Sequence, residues 1–194
     1  MPTWNEILAR NPQHSEQYAQ RWRDFVAQGR DINGEARLID ALAPRNARIL
    51  DAGCGTGRVG GYLAQRGHQV TGVDLDPILI GYAQRDFPES DWHVGDLCNG
   101  EIPEGTFDVI VSAGNVMGFL PVEGRIPALR AHAEHLAHDG RAVIGFGAGR
   151  GWSFQEFLND AAQAGLVPSL LLSSWELDPF TEDADFLVAI FTKQ

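Results

Sequence analysis

The chemistry-bearing residues of this chain gather in one short run, Asp51-Ala52-Gly53-Cys54-Gly55-Thr56-Gly57-Arg58. Glycine at alternate positions permits positive φ, and its missing Cβ lets a ligand lie against the backbone. If a strand enters this loop and a helix leaves it, the free amides of the loop and the first helical turn face that ligand. Such loops hold nucleotide-like molecules. The dinucleotide form is Gly-x-Gly-x-x-Gly, but here the third glycine comes one position early, at Gly57, and Arg58 takes its place. Asp51 adds a second distinction. A carboxylate at the head of the loop repels a pyrophosphate and attracts a ligand that carries an ammonium group.

The elements that must position this loop are legible on either side of it. Arg48 to Asp51 reads as a buried strand and Val59 to Arg66 as a helix stopped by Gly67. His68 to Asp74 is the next strand. Asp76 is then the expected N-cap, with Pro77 at the first position of a helix running to about Phe87. Asp91–Val94, Phe107–Ser112 and Arg141–Phe146 are three further strands, and Pro127 to His138 is a helix ended by Asp139-Gly140. Ser153-Phe154-Gln155-Glu156 is a capping box opening a helix that ends at Gly165. Val167–Trp175 and Asp185–Thr192 read as a closing hairpin. Strands alternating with helices imply βαβ units and a mostly parallel sheet, whose ligands sit at the carboxyl ends of the strands.

At DAGCGTGR the chain resembles the first motif of the class I S-adenosylmethionine-dependent methyltransferases. The resemblance covers roughly residues 47–194. It implies an α/β, Rossmann-like three-layer sandwich: a seven-stranded, mostly parallel sheet with one antiparallel strand. The implied cofactor is S-adenosyl-L-methionine and the implied product S-adenosyl-L-homocysteine. Asp74 stands 19 residues after Gly55, close to the ~20 expected of an acid that grips ribose hydroxyls. By resemblance, Asp96 accepts from the adenine amine while Leu75 and Leu97 sandwich the ring. The Ala113-Gly114-Asn115 turn approaches the methionyl end. Asp51, Ala52, Gly53, Cys54, Gly55 and Thr56 complete the expected cofactor loop. Arg58 either reaches the ligand carboxylate or starts the helix and faces solvent.

Methyl transfer from a sulfonium is a direct displacement, so a general base is needed only if the acceptor must lose a proton. His14 and Tyr18 are candidates for that base, with Asn115 a third candidate catalytic residue. The plainer readings of the first two are a surface histidine and a core tyrosine. His132, His135 and His138 lack the spacing of a metal site and read as a solvated helix face, so no metal is expected. Arg21, Arg23 and Arg150 would hold an anionic acceptor if they converged.

Residues 1–46 differ in character from the rest. Tyr18, Trp22 and Phe25 fall at helical spacing, and Asn33 is placed to cap a second helix through Leu38, Ile39 and Leu42. These helices either pack on the sheet or form a lid over the ligand, and the lid is the reading adopted, with 47–194 as the methyltransferase domain. Of 194 residues, 44% are hydrophobic, enough for one cored domain. A net charge of −11 opposes wrapping of nucleic acid and docking on an anionic membrane. Two cysteines make no disulfide framework, and the N-terminus lacks a signal-peptide pattern, so a cytoplasmic location is expected. The expected function is methyl transfer to a small-molecule acceptor. A nicotinamide-dependent oxidoreductase and a non-catalytic cofactor-binding partner protein are the alternatives.

Overall fold

Alternation along the strands sorts the core into two layers, because successive side chains of a strand point to opposite faces. In the first strand Ile49 joins one apolar cluster while Leu50 and Ala52 join the other. The computed structural model describes all 194 residues. Three helices, α1 (Trp4–Arg10), α2 (His14–Ala27) and α3 (Gly34–Leu42), precede β1 (Arg48–Ala52). There follow α4 (Arg58–Gln65), β2 (Gln69–Asp74), α5 (Pro77–Asp86), β3 (Asp91–Val94) and β4 (Phe107–Ser112). The chain closes with α6 (Arg125–His135), β5 (Leu136–Gly147), α7 (Phe154–Gln163), β6 (Leu166–Leu172) and β7 (Phe186–Lys193).

The seven strands lie in the order β3-β2-β1-β4-β5-β7-β6. The first five are mutually parallel, and β7 runs antiparallel to both of its neighbours, so it is the one reversed strand and pairs with β6 as the expected hairpin. Helices α3, α4 and α5 cover one face, where Ile39, Leu63 and Ile80 pack on Ile49, Val70 and Val109. Helices α6 and α7 cover the other, where Leu129, Phe157 and Ala161 pack on Ile110, Ile144 and Phe146. Strand order reverses between β1 and β4, and the crevice that such a reversal leaves at the carboxyl ends is where ligands of open α/β sheets bind.

Four local expectations are corrected. A short α1 opens the chain on a capping box between Thr3 and Glu6, where no helix was expected. Asn33 stands at the N-cap of α3, but its side chain makes no capping bond. β5 begins at Leu136, not Arg141, because Leu136 already pairs with Phe107 and a bulge absorbs Asp139-Gly140. His132 is not on a solvated face: it is 0% exposed, with Nδ1 2.7 Å from the Ala128 carbonyl and Nε2 3.4 Å from Ser112 Oγ. Burial pushes its imidazole down to about 4. His135 is half-buried, and His138 lies in β5 rather than on the helix.

Candidate active site

The glycine loop is pinned to β2, since the Gly53 and Cys54 amides both donate to the Val73 carbonyl, at 2.8 and 3.0 Å. Gly53 has φ +84°, and a Cβ there would lie 2.4 Å from the Val116 side chain. Gly57 is the left-handed N-cap of α4, and a Cβ there would meet Ala83 at 2.9 Å and Trp92 at 3.0 Å. Both positions need glycine for conformation and for space.

Three carboxylates stand at the ends of β1, β2 and β3. Asp51 is 2% exposed, and its one hydrogen bond comes from the Gly60 amide at 2.9 Å. Burial pushes its carboxyl up to about 7, against the pull of the Gly60 amide and the Arg58 charge. Asp74 accepts from the Gly55 amide at 2.8 Å and from the Asp76 amide at 2.9 Å, and burial raises it to about 6. A carboxylate has about four lone-pair directions, so roughly two remain on Asp74 for a ligand. Asp96 accepts from the Cys98 amide at 2.9 Å through Oδ1.

Asp74 and Asp96 line a cavity of about 420 Å³ together with Gly53, Gly55, Ala113 and Gly114. Leu75 and Leu97 are also on its wall, where the sequence placed them for an adenine sandwich. A narrow recess of about 20 Å³ shares Tyr18, Gly53, Ala113 and Gly114 with this cavity and ends at Asp51. Cys54, Thr56 and Arg58 form its sides. Tyr18 and Trp22 of α2 roof it, with the Tyr18 ring and hydroxyl lying over Gly55 and Gly114. Burial raises the Tyr18 phenol above its ordinary value.

Some expected site residues are engaged elsewhere. Arg58 is 11% exposed on its side chain, pairs with Glu35 at 2.7 Å, donates to the Ile32 carbonyl and lies 4.2 Å from the Trp22 ring centroid. It does not face solvent: it ties α4 to the α2–α3 segment while also lining the recess beside Asp51. Ala52 is buried, and its carbonyl accepts from Ser112 Oγ. The Cys54 sulfur lies against β2, within 3.0 Å of where a Cβ of Gly72 would sit, and burial raises its thiol. Asn115 Oδ1 accepts from the Gly147 amide at 2.8 Å, which fixes the turn after β4 to the end of β5. His14 packs edge-on against Trp4 at 4.9 Å and is not on the cavity wall. Arg21 covers Tyr18 and Arg23 covers Tyr82, while the Arg150 stem packs on Gly118, so these three do not converge.

The wall also contains residues that sequence reasoning missed. Thr3, Trp4 and Glu6 of the unexpected first helix reach the cavity, as do Phe119 and Leu120 beyond β4. The Thr3-x-x-Glu6 pattern was the available signal for α1; nothing marks Phe119. No histidine, lysine or arginine lines the cavity.

These features have close counterparts among known proteins. Residues 49–140 match the model of a methyltransferase domain family. A TehB-like SAM-dependent methyltransferase of Corynebacterium glutamicum is 62% identical, with 95% of this chain and 100% of that one covered, and superposes with a TM-score of 0.93. The SAM-bound amino pentose methyltransferase CalS10 of Micromonospora echinaspora superposes at 0.70 with 21% identity, over 90% of this chain and 96% of that one, and shares the fold. Among curated relatives, the magnesium-protoporphyrin O-methyltransferase of Rhodobacter capsulatus is 35% identical over 54% of this chain and 49% of its own length. The 18S rRNA (guanine-N(7))-methyltransferase of Bos taurus is 35% identical over 50% and 37%. The chain thus spans about half or less of the curated relatives it matches. It belongs to the class I S-adenosylmethionine-dependent methyltransferases, a membership that removes the oxidoreductase alternative. No helix is long and apolar enough to cross a membrane.

Proposed function

We propose that this protein transfers a methyl group from S-adenosylmethionine to a small-molecule acceptor. The observation that carries the reading is the row of acids, Asp51, Asp74 and Asp96, at the carboxyl ends of three adjacent parallel strands, the last two on one cavity and Asp51 in the recess beside it. Its spacing suits a ligand with an ammonium at one end, a ribose in the middle and an amino-purine at the other. Asp51 fits an ammonium because it is buried with a single partner and gains most from a cation. Asp74 takes the ribose hydroxyls on its unused lone pairs. Asp96 takes the exocyclic amine of a ring held between Leu75 and Leu97. When bound, the cofactor would supply a sulfonium-linked methyl group, whose carbon a nucleophile attacks directly while the thioether of S-adenosylhomocysteine leaves.

What the chain contributes is alignment and exclusion of water. Tyr18 covers the loop between Gly55 and Gly114, where the methionyl end would lie. Trp4, Val116 and Phe119 give the remaining wall an apolar surface for the acceptor. With no histidine or lysine on that wall, the groups it offers to take a proton from an acceptor are the carboxylates Glu6 and Glu123. The acidic net charge and this cation-free wall favour a small molecule over RNA, the substrate named for the bovine relative. The test is S-adenosylhomocysteine release from S-adenosylmethionine with amines, thiols, phenols, carboxylic acids and RNA offered separately. Turnover with a small molecule is expected. Turnover with RNA alone contradicts the acceptor class, and tight cofactor binding without any turnover favours the non-catalytic alternative.

A further inference from the structure

Asp76 does two things at once. One oxygen, Oδ1, caps α5 by accepting from the Ile78 and Leu79 amides at 2.9 and 3.4 Å. The other, Oδ2, accepts from Trp4 Nε1 at 2.9 Å and from Ser15 Oγ. These two donors lie at the start of α1 and the start of α2, 72 and 61 residues away in the chain. Asp76 is 1% exposed and Ser15 is 0% exposed, so neither donor bond competes freely with water. Trp4 also meets Phe119 at 5.5 Å, Tyr18 at 5.7 Å and His14 at 4.9 Å, each ring edge-on. One indole therefore joins α1, α2, α5 and the turn after β4.

The recess beside Asp51 is narrow in the same arrangement. At about 20 Å³ it holds little more than a water, while Tyr18 and Trp22 roof it from α2. Because Tyr18 and Trp22 belong to α2, a shift of α2 widens the way to Asp51. The backbone amide of Asp76 also donates to Asp74 Oδ1, which places the ribose acid two residues from the tether.

We propose that Asp76 is the positioning residue that latches α1 and α2 as a lid over the cofactor site, with Trp4 and Ser15 as its two catches. The lid opens to admit and release the cofactor, and the Asp76 turn holds it shut between those events. The role in cofactor exchange rests on the methyl-transfer reading; the latch itself is a contact of the free protein.

The test separates the cap from the catches. Asp76→Asn keeps a good helix cap, since Asn and Asp serve alike there, but an amide cannot accept from Trp4 Nε1 while its oxygen caps α5. Trp4→Phe and Ser15→Ala remove the catches and leave the α5 cap untouched. Tryptic cleavage at Arg10, exposed at the end of α1, reports the lid in the free full-length protein. Roughly three- to tenfold faster cleavage is expected in Asp76→Asn and in Trp4→Phe, with little added by combining them. Stopped-flow displacement of S-adenosylhomocysteine should show faster release in the same variants. Parental cleavage rates in all variants overturn the latch. So does faster cleavage in Asp76→Asn alone, which would assign the effect to the α5 cap. If the parent binds no S-adenosylhomocysteine, the methyl-transfer reading falls, and the cleavage arm still decides the latch.

Discussion

Asp51 sits where a carboxylate is least comfortable without a cation: buried at the end of β1, with one amide for company. Its carboxyl is raised to about 7 in the folded protein from an ordinary 3.8. A folded value above the unfolded one costs nothing below about pH 4 and costs most above about pH 7. Asp51→Asn should therefore raise the stability of the free protein at pH 8 by about 2–4 kcal/mol, a gain that fades toward pH 4. Urea unfolding at both pH values checks this. The same variant should bind S-adenosylhomocysteine more weakly, because the ligand's ammonium loses its partner. Asp74→Ala should weaken that binding roughly ten- to a hundredfold by removing one or two charge-assisted bonds. Calorimetry reads this directly, and an unchanged affinity removes Asp74 from the ribose role. The three acids were legible from spacing and resemblance because each follows a strand in a motif. Arg58 was not, because its partners Glu35 and Ile32 are over 20 residues away and no local pattern announces them.

At the scale of the element, the site depends on how α4 starts. Gly57 is in the left-handed region, with Ala83 and Trp92 crowding its open side. Gly57→Ala should cost about 2 kcal/mol or more and lower Tm by at least about 4 °C, combining backbone strain with a clash against Trp92. A thermal melt tests it. Most helix starts and stops were readable from local chemistry: Asp76 before Pro77, Ser153 with Glu156, and Gly67 after α4 all behave as their types demand. α1 carries the same box at Thr3 and Glu6 but is only seven residues long, too short for a periodic pattern to mark it. Asp139-Gly140 misled for the opposite reason. A turn signal was absorbed into a bulged strand by pairing with β4, a tertiary event that a local reading does not contain. His132 was misread for a separate reason: a polar ring type reads as surface, and what buries it is its contact with Ser112 at the end of β4, which a local reading does not contain.

For the molecule as a whole, the sheet was legible to the level of strand number and the single reversed strand. Its order, and so the crevice between β1 and β4, follows from no residue pattern and was first visible in the fold itself. The N-terminal helices divide in a way composition did not reveal: α3 supplies Ala36 and Ile39 to the core, while α1 and α2 lie over the ligand cavity. Asp51 and Asp74, raised to about 7 and about 6, couple the whole fold to ligand through protons. Binding favours both carboxylates, so affinity should fall as pH drops through 7 to 6, with protons released in that window. The Tm gain from saturating ligand should be larger at pH 8 than at pH 6.

Titration calorimetry of the protein with S-adenosylhomocysteine at pH 6.5, in two buffers of different ionisation enthalpy, tests the central claim most directly. Micromolar binding, about −8 kcal/mol, is expected, with a heat that differs between buffers because protons leave Asp51 and Asp74. An absence of binding, or an affinity unchanged in both Asp51→Asn and Asp74→Ala, would contradict the assignment of these acids to the cofactor.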